Sequence, residues 1–174
     1  AGGTWAVGAS ALLYFEGIAD TFNDLDLLIA EGDMPAVAQA MRAIGANTLT
    51  MSGPSAAYAT EYFFEYQLSD VDFDLLCGFA IRRADEIYRY PFTGERAVSA
   101  TQVKGETVPL TPLADWYVLY LLMPERENRA LQIAHYLRAH PRKESRRWLM
   151  QWLSGRLPGD VRESVLALYT ALEP

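Results

Sequence analysis

Several things are scarce in this 174-residue chain, and each scarcity excludes something. Cysteine occurs once, as Cys77 in an apolar run, so no internal disulfide can form and a reducing compartment is expected. Histidine occurs only at His135 and His140, and with Cys77 these spacings make no zinc cluster. Apolar runs are short. None approaches the roughly 18 residues that span a bilayer, and no charged-then-apolar leader precedes a cleavage site, so a cytoplasmic protein without a membrane partner is expected. Bases are almost missing from residues 1–80, where eleven acids face the single base Arg42. Residues 81–174 carry fourteen bases and eleven acids, leaving a net charge of −7 that argues against strong nonspecific nucleic-acid binding.

What is present is globular in character. With 51% hydrophobic and 21% charged residues, the chain can bury a core without staples, and its length suits one core with a helical appendage. Trp5 to Val7, Gly8 and the apolar stretch from Ala11 read as strand, tight turn and helix, with Ser10 as the helix cap. Leu25 to Ala30 is an apolar run with turn residues at both ends, the pattern of a buried strand. Pro35 suits a first helical turn, Val37, Met41 and Ile44 recur at helical spacing, and Gly45 closes that helix. Asn47 to Met51 reads as a strand before a loop at Ser52-Gly53-Pro54-Ser55. Tyr62 to Gln67 and Val71 to Cys77 read as a hairpin or two adjacent strands, Arg82 to Tyr90 as a short helix, and Ala97 to Thr101 and Thr107 to Leu110 as extended. From Thr111 the pattern is helix after helix, with caps at Thr111 and Asp160 and breaks near Pro124, Pro141 and Gly155. The expected organisation is an α+β core over residues 1–110 and a helical lobe over 111–174.

The chemistry-bearing residues lie in the first half. Asp24 and Asp26 flank Leu25 at a strand entrance, and a period of two points both carboxylates to one face. Asp72 and Asp74 repeat the arrangement. Like charges held this close stay ionised most easily with a divalent cation between them, and oxygen-ligated cations are what phosphoryl and nucleotidyl transfer require. Gly8-Ala9-Ser10 supplies the complement: a glycine turn admits phosphate close to backbone, and Ser10 adds a hydroxyl.

Gly8-Ala9-Ser10, then Thr21-Phe22-Asn23-Asp24-Leu25-Asp26-Leu27-Leu28-Ile29, then Val71-Asp72-Phe73-Asp74-Leu75-Leu76 resemble, in order and combination, the three motifs of the polymerase-β-like nucleotidyltransferase superfamily. The flavour is that of small bacterial members, the aminoglycoside and lincosamide nucleotidyltransferases of antibiotic resistance and the abortive-infection-type toxin nucleotidyltransferases. The resemblance covers about residues 5 to 80, and the helical lobe only in general character. It implies a nucleotidyltransferase fold, a mixed twisted sheet flanked by helices. It implies two Mg²⁺ ions, with Mn²⁺ as a substitute, held by Asp24 and Asp26, with Asp74 on the ion that activates the acceptor hydroxyl. Gly8 and Ser10, with Ala9 between them, would hold the triphosphate of an ATP or other NTP. The acceptor it implies bears a hydroxyl: a small molecule, a tRNA end or a protein side chain. Ala9 departs from the Gly or Ser usual in the turn, and Arg126 and Arg129 stand where related enzymes often show lysine.

Plainer readings stand beside these. Asp72 is a metal ligand, a solvated strand residue or a turn partner of Ser69. Arg82 and Arg83 contact phosphate or are surface arginines. Arg138, His140, Arg142, Lys143, Arg146 and Arg147 form a basic cluster that meets RNA or solvent. Arg129 and His135 match the loose spacing of helical ribonucleases of the HEPN type, and Trp148 and Trp152 read as core. The expected function is therefore transfer of an NMP from an NTP to a hydroxyl with release of pyrophosphate. The alternative is a weak or inactive binding module of the same fold in a regulatory or toxin–antitoxin complex.

Overall fold

The computed structural model describes residues 2–52, 57–97 and 99–173, which fall into two compact units, Ala1–Thr111 and Pro112–Pro174. Of the loop read at 52–55, Ser52 belongs to a strand instead and the rest lies outside the described residues.

In the first unit the elements run β1 (Trp5–Val7), α1 (Ala9–Phe15), β2 (Leu25–Ile29), α2 (Met34–Ala43), β3 (Asn47–Ser52), β4 (Tyr62–Leu68), β5 (Val71–Cys77), β6 (Ala80–Arg83), β7 (Glu86–Arg89), a 3₁₀ turn at Gly94–Arg96, β8 (Ser99–Val103) and β9 (Glu106–Leu110). Among the described residues seven of these strands form one mixed sheet, ordered β3-β4-β5-β2-β1-β9-β8. β2 runs parallel to β5, and β1 runs antiparallel to β2 but parallel to β9. The central strands are apolar at one end: Leu27, Leu28 and Ile29 of β2 and Leu75, Leu76 and Cys77 of β5 are all buried. Each fully buried aliphatic side chain there contributes roughly 1.5 to 3 kcal/mol. Burial also pushes the Cys77 thiol up from its ordinary value, as expected for an inert core cysteine.

Local chemistry explains most junctions. α2 starts with Pro35 in its first turn and ends with Gly45 at φ +84°. The Gly45 and Ala46 amides donate to the carbonyls of Arg42 and Met41, a Schellman closure that needs a left-handed residue. Lys104 and Gly105, both at positive φ, make the two-residue turn between β8 and β9. Gly78, at φ +62°, leaves β5 where any Cβ would stand 2.8 Å from Cβ of Glu61.

Four expectations are corrected, the last in the second unit. The segment 82–90 is not a helix: β6 and β7 pair antiparallel as a separate two-stranded sheet, turning at Ala84 with φ +51°. Glu86, Tyr88 and Tyr90 alternate at period two, and burying Tyr88 and Tyr90 outweighs the helix-favouring charges around them. α1 is capped by Gly8 rather than Ser10, because Gly8 takes the extended geometry of a cap and its carbonyl accepts the Leu12 amide at 3.0 Å. Pro112 rather than Thr111 takes the cap position of the next helix, and the Thr111 hydroxyl donates to the Val7 carbonyl at 2.9 Å.

The second unit holds α3 (Leu113–Leu122), α4 (Glu127–Ala139), α5 (Lys143–Ser154) and α6 (Gly159–Ala171). Pro112 and Pro158, not Thr111 and Asp160, occupy the caps of α3 and α6. α3 is apolar around nearly its whole circumference, and nine of its residues are buried, as a central helix must be. Its one buried acid, Asp115, accepts a hydrogen bond from Trp152 Nε1 at 2.8 Å. Arg162 closes the end of α5 by donating to the carbonyls of Leu153 and Gly155. No helix among the described residues is long and apolar enough to cross a membrane.

Candidate active site

The acids gather at the end of the sheet opposite its apolar half. Asp24 immediately precedes β2, Asp26 is its second residue, and Asp72 and Asp74 are the second and fourth of β5. Parallel pairing sets Asp26 directly across from Asp74, and antiparallel pairing sets Glu65 of β4 across from Asp74 on its other side. Residues paired across neighbouring strands share a sheet face, so Asp26, Asp74 and Glu65 form one row of carboxylates over three strands. Asp24 and Asp72 flank that row.

The electrostatics report the crowding. Burial, followed by the charges of Asp24, Glu65 and Asp72, pushes the Asp74 carboxyl from 3.8 to about 7. Asp72 is exposed and accepts a 2.8 Å hydrogen bond from Gln67 Nε2, which ties it to its strand neighbour at the rim.

The turn meets the same row. The Gly8 amide donates to the Asp26 carbonyl at 2.9 Å, so Gly8 supplies geometry and not a free donor. Ala9 follows at φ +44°, in the left-handed region that disfavours any side chain. Ser10 then places its Oγ in a buried position with no hydrogen-bond partner. An orphaned buried hydroxyl two residues beyond a turn bonded to the carboxylate strand is a donor available to a phosphate oxygen. Among the described residues no three His, Cys, Asp or Glu side chains already stand in a metal-holding arrangement. What the fold provides is strand adjacency and coupled charge.

Other sequence candidates go elsewhere. Arg82 and Arg83 sit on β6, beyond the C-terminal end of β5, while Asp72 and Asp74 lie toward its beginning. Arg129 and His135 share α4 six residues apart, which at 100° per residue puts them on different sides of the helix. In the basic cluster, Arg146 lies over the Tyr169 ring at 4.3 Å and pairs with Glu173, and Arg142 lies over Tyr136. Glu65 is the residue that sequence reasoning missed. Its signal was legible: counting back from the Ser69-Asp70 turn of the hairpin pairs Glu65 with Asp74.

No protein-family model and no curated protein matches the chain. Among solved structures, a Thermotoga maritima protein provisionally assigned as a nucleotidyltransferase is similar at 16% identity, with 80% of this chain and 85% of that one covered and a TM-score of 0.56. Looser likenesses are ANT(2″)-Ia in complex with adenylyl-2″-tobramycin, at 13% identity, 97% and 86% coverage and a TM-score of 0.48, and JHP933 from Helicobacter pylori, at 13%, 98%, 83% and 0.41. The mixed seven-stranded sheet, carrying the three motifs in order and matched by the Thermotoga protein over most of both chains, gives this chain the nucleotidyltransferase fold.

Proposed function

We propose that the chain is a metal-dependent nucleotidyltransferase that moves an NMP from an NTP to a hydroxyl acceptor and releases pyrophosphate. One observation carries this reading: the Gly8-Ala9-Ser10 turn is bonded to Asp26, and Asp26 stands in register with Asp74. Asp24 and Asp26 would hold two Mg²⁺ ions, or Mn²⁺, with Asp74 sharing the ion on the acceptor side. When bound, the cations neutralise the triphosphate and make the acceptor hydroxyl easier to deprotonate. Ser10 Oγ donates to a phosphate oxygen, and the left-handed turn at Ala9 brings the chain backbone beside it. The acceptor oxygen forms its bond to the α-phosphorus as the bond to pyrophosphate breaks, with the hydroxyl proton passing to a carboxylate of the row. Positioning and charge carry the reaction, so no covalent enzyme intermediate is required. The acceptor is a small molecule, a tRNA end or a protein hydroxyl.

The test is α-labelled NTP with Mg²⁺ over a panel of these three acceptor classes, following pyrophosphate release and label transfer. Release with one acceptor, abolished in Asp26→Asn, supports the reading. Tight Mg²⁺·NTP binding with no release over the whole panel moves the protein to the non-catalytic binding module.

A further inference from the structure

We infer that Thr111 is a positioning residue for the Gly8-Ala9-Ser10 turn, fixing it against the carboxylate strand from the other side of β1. The inference rests on the nucleotidyltransferase reading only for what the turn binds. Its basis is a single peptide plane, the one joining Val7 to Gly8. The N–H of that plane donates to the Asp26 carbonyl at 2.9 Å. Its C=O accepts twice from Thr111, from the amide at 3.0 Å and from Oγ at 2.9 Å. A peptide unit is rigid, so anchoring both ends fixes its orientation about the strand axis.

That orientation decides where the turn goes. Immediately beyond it the chain enters the left-handed conformation at Ala9, which persists only when the surroundings impose it, and then delivers the unpartnered Ser10 hydroxyl. Rotating the Val7–Gly8 plane would swing Ala9 and Ser10 together, away from Asp26. β1 and β9 are in register at Val7 and Leu110, so Thr111 stands one residue past the last rung. Backbone pairing alone offers one donor there, and the threonine side chain doubles it. Thr111 is fully buried, so water cannot replace its hydroxyl.

Thr111→Val keeps the shape and the amide donor but removes the hydroxyl, whereas Thr111→Ser keeps the hydroxyl. Amide hydrogen exchange at Gly8, read by NMR, and calorimetric titration with Mg²⁺ and ATP, CTP, GTP or UTP are compared at a temperature where melting curves show all three proteins folded. Gly8 exchange in Thr111→Val should rise about tenfold, and Kd for the best Mg²⁺·NTP should rise about five- to tenfold, the range set by one buried hydrogen bond. Thr111→Ser should recover both to within about threefold. Unchanged Gly8 exchange in Thr111→Val, or a serine variant as impaired as the valine variant, overturns the inference. So does a Thr111→Val protein that melts lower yet binds nucleotide as the wild type does, because the hydroxyl would then only stabilise the fold. If the wild type has no Mg²⁺·NTP affinity, the nucleotide reading fails, and Gly8 exchange alone decides the clamp.

Discussion

β2 and β5 lie side by side in parallel, yet their two halves obey opposite rules. At one end Leu28 pairs with Leu76 and Ile29 with Cys77, dry and closely packed; at the other Asp26 pairs with Asp74 and like charge faces like charge. The first arrangement stabilises the fold, and the second costs stability that a bound cation, under the proposed function, would recover.

Asp26→Asn should separate the halves most sharply. It preserves shape while removing a charge from the row, so transfer activity should fall at least about a thousandfold, equivalent to roughly 4 kcal/mol, while the apo protein stays folded. Calorimetry with Mg²⁺ and NTP should show no metal-dependent binding. Equal metal response in this variant and the wild type would sink the cation assignment and leave the fold alone. Asp74→Asn should spare more nucleotide binding than Asp26→Asn, and the same change at Asp72, exposed and tied to Gln67, should do less than either.

The apolar half should respond in the opposite sense. Leu75 is fully buried, and Leu75→Ala should lower unfolding free energy by about 2 to 5 kcal/mol, measured by urea denaturation. The nucleotide Kd of the remaining folded protein should change little. A large Kd change would mean the two halves are not separable.

A smaller effect follows from Asp74. Its carboxyl titrates near 7 in the folded chain against 3.8 in its ordinary state, so the folded protein binds the proton more tightly than the unfolded one. The associated stability is present below about pH 4 and is lost as pH rises through 7. Metal-free wild type should therefore lose stability between pH 4 and 7, and Asp74→Asn should flatten that slope by roughly 1 to 2 kcal/mol once solvent screening is allowed for. Denaturation midpoints at pH 4 and pH 8 check this. A slope that survives the substitution places the titrating group elsewhere.

The smallest change belongs to the turn. Ala9→Gly removes a side chain from the left-handed region and should stabilise the protein by about 0.5 to 1 kcal/mol in a thermal melt. Destabilisation would show that the methyl group of Ala9 packs usefully despite its backbone.

Much of this was legible locally. The apolar run of β2 between turn residues, the helix from Pro35 closed by Gly45, and the hairpin of β4 and β5 all follow from residues a few positions apart. The clustering of acids was legible too, because Asp26, Asp72 and Asp74 stand at period two in apolar strands, with Asp24 just before one. The hairpin of β6 and β7 was misread because Arg82, Arg83, Asp85 and Glu86 favour a surface helix, while the buried Tyr88 and Tyr90 that decide the matter point into a core the sequence does not display. Ser10 was misread as a cap for a related reason: Gly8 took the cap once its amide was bound to β2.

Residue order by itself determined the period of each element, its punctuation and the chemical identity of the carboxylates, since these depend on interactions spanning a turn or less. Only the tertiary structure decided which strands are neighbours beyond the hairpins. Every strand offers the same amides and carbonyls, so pairing is chosen by packing of faces and not by a code in the backbone. The order β3-β4-β5-β2-β1-β9-β8 put Asp26 beside Asp74 and carried Thr111 across 104 positions to the carbonyl of Val7.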